Sequence, residues 1–158
     1  MKQKRVAETA KANLSPSIDN RRARFEYHIL ESVEAGLALT GTEIKSIRAG
    51  GVSLNEAYAR MRDGELWLMS MHIPPYKEGS FSNHEPLRPR KLLLHKEQIE
   101  RLSARVAEKG LTLVALRMYF TRGRVKVEVG LARGKKIWDK RAATAERDAK
   151  RDLARELR

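Results

Sequence analysis

Alternation of apolar and polar residues predicts most of the strands of this chain. The stretch FEYHILESV, residues 25–33, alternates from Phe25 onward in the manner of a half-buried strand. Glu34-Ala35-Gly36 then predicts a turn into a second strand, LALT, at residues 37–40. Near the end of the chain, LTLVALRMYF and VKVEVGLA predict a hairpin that turns across residues 121–124.

The centre of the chain predicts another hairpin and one short strand. In YARMRDGELWLMSMHI, residues 58–73, Asp63-Gly64 suits a tight turn between two apolar runs. Residues 74–90, PPYKEGSFSNHEPLRPR, form a long loop, and loops of this length inside a compact domain are usually functional or disordered. The strand KLLL follows, and we expect its leucines, Leu92–Leu94, to lie in the core.

Two helices are predicted by spacing and by their end signals. The first contains Ile44 and Ile47 on one face, with Thr42 as its expected cap and Gly50-Gly51 as its end. The second runs from His95 to Lys109, where Gly110 stops it. Short, mostly antiparallel strands with helices at the ends of the sheet are typical of a mainly β protein with peripheral helices. We therefore predict a small closed antiparallel barrel of the oligonucleotide-binding (OB) type.

The ends of the chain have a different composition from the barrel. We divide the sequence into a flexible basic lead at residues 1–19, a barrel at 20–132 and a basic C-terminal tail at 133–158. The tail has an apolar stripe at helical spacing, which consists of Ala142, Ala145, Ala149, Leu153 and Leu157. Because this stripe is too thin to make a core, we expect the tail to be disordered when free and helical when bound to nucleic acid.

The charge balance indicates a polyanionic partner. The chain has 33 Lys and Arg against 20 Asp and Glu, a formal net charge of +13, and a sequence pI near 10.3. We find no apolar run of about 18 residues to span a bilayer, and the basic start lacks the apolar stretch of a signal peptide. We expect a cytoplasmic protein, with which the absence of cysteine agrees.

Several polar residues are candidates for contact with RNA. Glu43, Lys45 and Arg48 are expected to share an exposed helix surface, although Glu43 also suits the positive end of the helix dipole. In and beside the long loop, cations and hydrogen-bonding side chains are positioned to meet unstacked bases. These candidates are Asn83, His84, Arg88, Arg90 and Lys91, and Lys126 joins them from the polar face of the last strand.

Catalytic and metal chemistry find little support in the sequence. His84 and His95 are structural residues, RNA contacts or a metal pair, but no third ligand occurs at a useful spacing and cysteine is absent. We find no paired carboxylates at metal spacing, no histidine-and-base constellation and no glycine-rich phosphate loop. We expect no metal, no cofactor and no enzymatic activity.

Five blocks of the sequence resemble the SmpB (SsrA-binding protein) family of bacteria. They are GTEIKSIRAGGVSLNEAYA (41–59), HIPPY (72–76), NHEPLRPRKLLLH (83–95), VKVEVGLARGKK (125–136) and DKR (139–141). The resemblance implies an OB barrel that binds the tRNA-like domain of transfer-messenger RNA (SsrA RNA) and delivers it to stalled ribosomes. It also implies a part in trans-translation, which rescues the ribosome and tags the nascent peptide.

The resemblance also implies roles for particular residues. Asn20 and Glu43 occupy positions implied to contact transfer-messenger RNA, in a complex of one monomer with one RNA. The tail is implied to enter the decoding centre of the small ribosomal subunit and the empty mRNA channel. Its decoding-centre residues are Gly134, Lys135, Lys136, Trp138, Asp139, Lys140 and Arg141.

Trp138 departs from the family pattern, in which His or Tyr is common. A tryptophan retains a face that stacks on a base, but it has no ring hydroxyl and no imidazole. Two alternatives stay open at this point: a tail that serves solubility alone, and a ribosomal-type protein that coats ribosomal RNA. An aromatic residue set among cations and followed by a conditional helix favours the rescue factor over a coat protein.

Overall fold

The computed structural model describes residues 17–79, 83–108 and 110–157. Its strands are β1 (Ile18–Asp19), β2 (Tyr27–Leu37), β3 (Tyr58–Arg62), β4 (Glu65–Met69), β5 (Arg90–Leu93), β6 (Leu111–Thr121) and β7 (Arg124–Gly134). Its helices are α1 (Arg21–Glu26), α2 (Gly41–Ala49), α3 (Lys96–Ala107) and α4 (Ile137–Glu156).

The strands form one closed antiparallel ring. Six of them pair in the order β6-β3-β4-β5-β2-β7, and β7 pairs with β6 again, so the sheet returns to its first strand. The short β1 is added to the outer side of this ring by its pairing with β6. Closure gives both long strands of the last hairpin two neighbours, which removes exposed sheet edges. The prediction of a mainly β, OB-like barrel with peripheral helices is confirmed.

The first long strand differs from its prediction. Phe25 belongs to α1, and β2 continues without a turn from Tyr27 to Leu37. The turn was predicted because glycine is common in turns, but Gly36 lies inside the continuous strand. It pairs with Lys126 of β7 on one side and Leu93 of β5 on the other, and a Cβ at this position would lie 3.1 Å from the Leu93 Cβ. A glycine within a strand often marks such a close approach, so here it does not signal a turn.

Both predicted hairpin turns are confirmed by backbone geometry. Asp63 and Gly64 have φ angles of 50° and 76°, and Arg122 and Gly123 have 52° and 74°. Two consecutive positive φ values are what a primed two-residue turn needs, and they match the right-handed twist of the strands on either side.

Helix α2 ends where the sequence predicts but begins two residues earlier, whereas α3 begins at His95 as predicted and continues to Ala107. Thr40, and not Thr42, caps α2: its Oγ accepts the Glu43 amide, while the Glu43 carboxylate accepts the Thr40 amide. Gly50 ends this helix at φ 92°. His95 is the N-cap of α3, and the predicted last residue of that helix, Lys109, lies outside the described residues.

The core fills the ring and the space beneath α2 and α3. Its largest fully buried members are Ile47, Leu54, Leu66, Leu68, Met71, Ile73, Leu92, Leu102, Leu113 and Met118. A second, smaller cluster lies under α1 and consists of Ala23, Val114, Leu116 and Ala132. Of the predicted core leucines, Leu92 is buried, but Leu93 is 51% exposed because it sits on the opposite face of β5.

The segments flanking the barrel are structured where they are described. Ile18 and Asp19, from the predicted lead, pair with Met118 and Arg117, whereas residues 1–16 lie outside the described residues. β7 extends to Gly134, two residues beyond the predicted end of the barrel. Residues 137–156 of the tail form α4, and the expectation that the tail is disordered when free stays a prediction. No helix in the described part of the chain is long and apolar enough to cross a membrane.

Candidate nucleic-acid interface

A groove of about 720 Å³ crosses the barrel surface where β5 and the start of α3 face β2 and β7. The sequence-predicted residues Lys91 and Lys126 meet here, although they are 35 positions apart in the chain. Its other polar lining residues are Glu34, Glu65, His95, Lys96 and Gln98. The groove therefore combines three lysines and two carboxylates in one concave surface.

The two carboxylates of the groove have different partners. Glu65 accepts from the Lys91 ammonium at 2.8 Å in a pair that is about half exposed. Glu34 accepts the Tyr119 hydroxyl. Among the described residues, Lys96 and Lys126 take part in no ion pair, so their charge is available to a ligand. Exposed Leu93 provides an apolar contact in the same groove.

Tyr119 is held as a neutral hydrogen-bond donor beside the groove. Burial, together with the hydrogen bond to Glu34 and its negative charge, raises the pKa of Tyr119 to about 12. The guanidinium of Arg117 lies over the Tyr119 ring at 4.6 Å from its centroid. The hydrogen bond from Tyr119 thus holds the carboxylate of Glu34, a residue that lines the groove.

A smaller cleft of about 330 Å³ continues the groove toward the last hairpin turn. It shares Gly36, Leu93 and Lys126 with the larger groove and adds Arg124. Arg124 is exposed and was not singled out from the sequence, because a turn cation has no local signal that separates a ligand contact from a solvated charge. Lys96 and Glu34 were also not singled out from the sequence, because the residues that lie beside them in the groove come from distant strands.

Glu43 does not lie on an exposed helix surface. It is 0% exposed, and each of its carboxylate oxygens accepts from an arginine at 2.5 Å: Oε1 from Arg88 and Oε2 from Arg90. Arg90 is also buried, and it donates to the carbonyls of Met71, Glu85 and Pro86. The prediction of a shared exposed surface was wrong for Glu43, which fastens the long loop to α2.

The buried cluster keeps its charges. Burial by itself raises the pKa of the Glu43 carboxyl, but the Thr40 amide and the two arginines outweigh it, so that pKa lies below its ordinary value. Burial lowers the pKa of Arg90, and Glu43 opposes that effect. Arg88 remains 35% exposed, so of the two arginines it is the one that still reaches solvent.

Asn83 and His84 also direct their hydrogen-bonding groups inward. The Asn83 amide accepts the Tyr76 backbone N–H at 3.0 Å and donates to the Tyr76 carbonyl at 2.7 Å, which joins two positions of the loop that are seven residues apart. Nε2 of buried His84 donates to the Ile73 carbonyl, and its Nδ1 bonds the Thr42 hydroxyl. Both side chains shape the loop, in contrast to the predicted contact with unstacked bases.

Asn20 is buried, and both polar atoms of its side chain are hydrogen-bonded. It is 1% exposed; its amide nitrogen donates to the Leu54 and Ala115 carbonyls at 2.7 Å each, and its oxygen accepts the Ala23 amide. It caps α1 and joins that helix to two distant parts of the barrel. The predicted base contact through its amide is not accessible in this structure.

Asn20→Ala should destabilise the barrel by about 2 to 3 kcal/mol, because two buried carbonyls and one amide lose their partner. Urea unfolding measures this change, and Asn55→Ala is the matched control, since Asn55 is exposed on a neighbouring turn. We expect the control to change stability by less than about 0.5 kcal/mol. Equal effects in the two variants would contradict the structural role of Asn20.

Lys45 and Arg48 are exposed, as predicted, on the outer side of α2. The Lys45 ammonium lies 5.7 Å from the centroid of the Tyr76 ring, and the Arg48 guanidinium 5.6 Å from that of Phe120. Both side chains rest on aromatic rings while their charged groups remain in solvent.

The tail residues singled out from the sequence lie at the junction of β7 and α4. Gly134 is the last residue of β7, and Lys135 and Lys136 connect it to the helix. Trp138 is 66% exposed, whereas the side chain of Asp139 is only 17% exposed. Lys140 is half-buried and Arg141 is exposed. In the described ranges, no group of three or more His, Asp or Glu residues is placed to hold a metal ion.

The chain is similar to known proteins over most of its length. The family model described as SmpB protein matches residues 17–158. The SsrA-binding protein of Syntrophomonas wolfei subsp. wolfei is 54% identical over 145 residues, covering 92% of each chain. That of Acidothermus cellulolyticus is 58% identical over 138 residues, covering 87% of each.

A solved structure is also similar to this one. It is described as "tmRNA-SmpB: a journey to the center of the bacterial ribosome". The two chains are 56% identical, with a TM-score of 0.66 over 78% of this chain and 87% of the other. Fold and surface define a small OB-like barrel with a lysine-lined groove and a basic C-terminal helix. The chain belongs to the SmpB family.

Proposed function

We propose that this protein is a non-catalytic RNA-binding factor of trans-translation. It binds the tRNA-like domain of transfer-messenger RNA, delivers that RNA to stalled ribosomes, and places its tail in the decoding centre and the empty mRNA channel. The supporting observation is a family match that spans barrel and tail together, residues 17–158. Since both partners act in the cytoplasm, the proposal places the protein there.

The groove is the part of the barrel best suited to RNA. Lys91, Lys96 and Lys126 supply phosphate contacts, which carry affinity but little selectivity. Glu34 adds an acceptor for a 2′-hydroxyl or for the N–H of a base, which positive charge alone does not provide. Exposed Leu93 offers an apolar surface to a ribose or base.

The sequence-predicted RNA residues divide into two groups under this proposal. Lys45, Arg48, Arg88, Lys91 and Lys126 contact RNA, because each presents charge to solvent. The second group positions the first and comprises Asn20, Glu43, Asn83, His84 and Arg90. In particular, Glu43 sets the direction of Arg88 by holding one edge of its guanidinium.

The tail supplies the ribosomal contacts. Lys135, Lys136, Lys140 and Arg141 hold phosphate, and the exposed ring of Trp138 stacks on a base. The helix that follows has a charged, exposed surface suited to a channel lined by RNA.

Sequencing the RNA that copurifies with the protein from its own cells tests the proposal. We expect one stable RNA with a tRNA-like and a message-like part. Ribosomal RNA in one-to-one amount, whether or not ribosomes are stalled, would indicate a ribosomal coat protein and contradict the proposal.

The salt dependence of RNA binding should identify the groove lysines. Each phosphate contact contributes about 0.7 to 0.9 to the slope of log affinity against log salt, so a double Lys96→Ala, Lys126→Ala variant should lose about 1.4 to 1.8 from that slope. Filter binding or fluorescence anisotropy over a salt series measures it. The matched control is Arg60→Ala, Arg62→Ala, which removes two exposed charges from β3. Equal changes in both variants would show that the charge acts diffusely and that the groove is not the binding site.

A further inference from the structure

Glu34 lies in a groove of lysines, yet its carboxylate is hydrogen-bonded to a tyrosine. It is exposed on β2 and lines the groove together with Lys91, Lys96 and Lys126. Among the residues that the structure describes, Glu34 forms no ion pair with these lysines. Its carboxylate accepts the Tyr119 hydroxyl instead. A neutral donor therefore holds an acidic group that three nearby cations could attract.

The strand register shows which charged residues Glu34 could otherwise reach. Glu128 of β7 lies directly opposite Glu34. Lys126 lies opposite Gly36, so it is the diagonal neighbour of Glu34 on the same face of the sheet. Diagonal neighbours are about 7 to 8 Å apart, which is within reach of a long side chain. Because Glu128 repels the Glu34 carboxylate and Lys126 attracts it, an unrestrained Glu34 would turn toward Lys126.

Tyr119 reaches Glu34 from two strands away. It lies on β6 opposite Lys126, and β7 separates β6 from β2. Neighbouring strands are about 4.8 Å apart, so the phenol side chain crosses β7 to bring its hydroxyl to the carboxylate. Burial and the adjoining Glu34 raise the pKa of Tyr119 to about 12, so the hydroxyl keeps its proton at neutral pH. Phenylalanine at this position would supply the ring without the donor.

Arg117 supports this arrangement from the same strand as Tyr119. Its guanidinium lies 4.6 Å from the centroid of the Tyr119 ring. Its Nε lies 3.5 Å from a carboxylate oxygen of Glu128, the residue opposite it on β7. One cation therefore holds the tyrosine ring and pairs with the glutamate that faces Glu34. This pairing offsets the repulsion between two carboxylates that lie directly opposite each other.

We propose that Tyr119 is a positioning residue for RNA binding: its hydroxyl holds the Glu34 carboxylate away from Lys126. The carboxylate then remains an acceptor for a 2′-hydroxyl or a base N–H, and the ammonium remains available to a phosphate. This inference rests on the proposed function, in which the groove binds transfer-messenger RNA. Without the hydroxyl, Glu34 and Lys126 would pair with each other, and both contacts with RNA would be lost together.

The salt dependence of binding to transfer-messenger RNA tests this role. Tyr119→Phe should lose about 0.7 to 0.9 from the slope of log affinity against log salt, because Lys126 no longer contacts a phosphate. At about 0.1 M salt this change corresponds to roughly five- to eightfold weaker binding. Fluorescence anisotropy over a salt series measures both quantities. A slope and an affinity equal to those of the parent would overturn the inference.

The Glu34→Ala background separates positioning from a direct contact with RNA. Without the carboxylate the hydroxyl has nothing to position, so adding Tyr119→Phe there should change affinity by less than about twofold. An equal loss in both backgrounds would show that Tyr119 contacts RNA or supports the barrel, which contradicts a positioning role.

The matched control is Tyr76→Phe. It removes another hydrogen bond between a tyrosine and a glutamate, that of Tyr76 with Glu78, while the aromatic ring beside Lys45 stays. The salt slope of this variant should equal that of the parent. A loss as large as that of Tyr119→Phe would show that the effect is not specific to the groove and would overturn the inference.

Crystal structures without RNA test the same inference independently of the proposed function. In Tyr119→Phe the Glu34 carboxylate should lie within about 4 Å of the Lys126 ammonium, whereas in the parent it should accept the Tyr119 hydroxyl. A Glu34 side chain in the same position in both structures would overturn the positioning role. Failure of the parent to bind transfer-messenger RNA would contradict the proposed function, and the two crystal structures would still decide what Tyr119 holds.

Discussion

Removing the carboxylate of Glu43 should cost about 3 to 5 kcal/mol of unfolding free energy, because it leaves the buried guanidinium of Arg90 without its counter-charge. Glu43→Ala should therefore unfold at a much lower urea concentration than the parent protein. The matched control is Glu65→Ala, which breaks a pair with Lys91 whose two side chains are each about 40% exposed. That variant should lose no more than about 1 kcal/mol.

The pH dependence of the unfolding free energy provides a second test of the buried Glu43 carboxylate. The folded-state pKa of Glu43 is lowered from an ordinary value of 4.5. Its stabilising contribution is therefore complete above that value and is lost as the pH falls through the folded-state pKa. The difference in unfolding free energy between the parent and Glu43→Gln should narrow on acidification below pH 4.5. A difference independent of pH would contradict a charged, buried Glu43.

Truncation after Lys136 should abolish peptide tagging while leaving the affinity for transfer-messenger RNA only modestly reduced. The groove and its supporting residues remain, and only the helix and its diffuse charge are removed. The truncation point matters, because Ala132 is buried, β7 extends to Gly134 and the Lys135 amide bonds Glu26. A cut after Leu131 would damage the barrel itself. RNA affinity by anisotropy and tagging of stalled peptides are the two measurements.

Single substitutions at Trp138 should reduce peptide tagging less than the truncation does. Trp138→Ala should give a milder tagging defect, because it removes a stacking surface worth on the order of 1 to 3 kcal/mol while the neighbouring cations remain. Trp138→Tyr should be close to the parent. Loss of RNA binding on truncation, or tagging by the truncated protein, would contradict the division of labour between barrel and tail.

The elements that sequence analysis predicted well are those determined by neighbouring residues. The turn at Asp63-Gly64 and the end of α2 at Gly50 depend on backbone conformations that particular residues favour locally. The strands of the last hairpin follow from period-two alternation, and closure of the ring follows from having several such strands. The five family blocks likewise required no three-dimensional information, since their order along the chain carries the resemblance.

The candidate site was less predictable, because its groups are distant in sequence. Lys91 and Lys126 were predicted one by one, but the groove that joins them requires β5 and β7 to flank β2. Glu34 was interpreted as part of a turn, since a glycine two residues later is a common loop signal. Only the pairing of Gly36 on both sides reveals a continuous strand that places Glu34 beside the groove.

The sequence by itself determined the net charge, the local turns, the family and the presence of a basic C-terminal segment. Tertiary structure decided which polar residues are available to a ligand. Asn20 bonds a residue 95 positions away, and Glu43 bonds arginines 45 and 47 positions away. Burial depends on such long-range contacts, whereas the alternation and turn chemistry of a sequence report only on near neighbours.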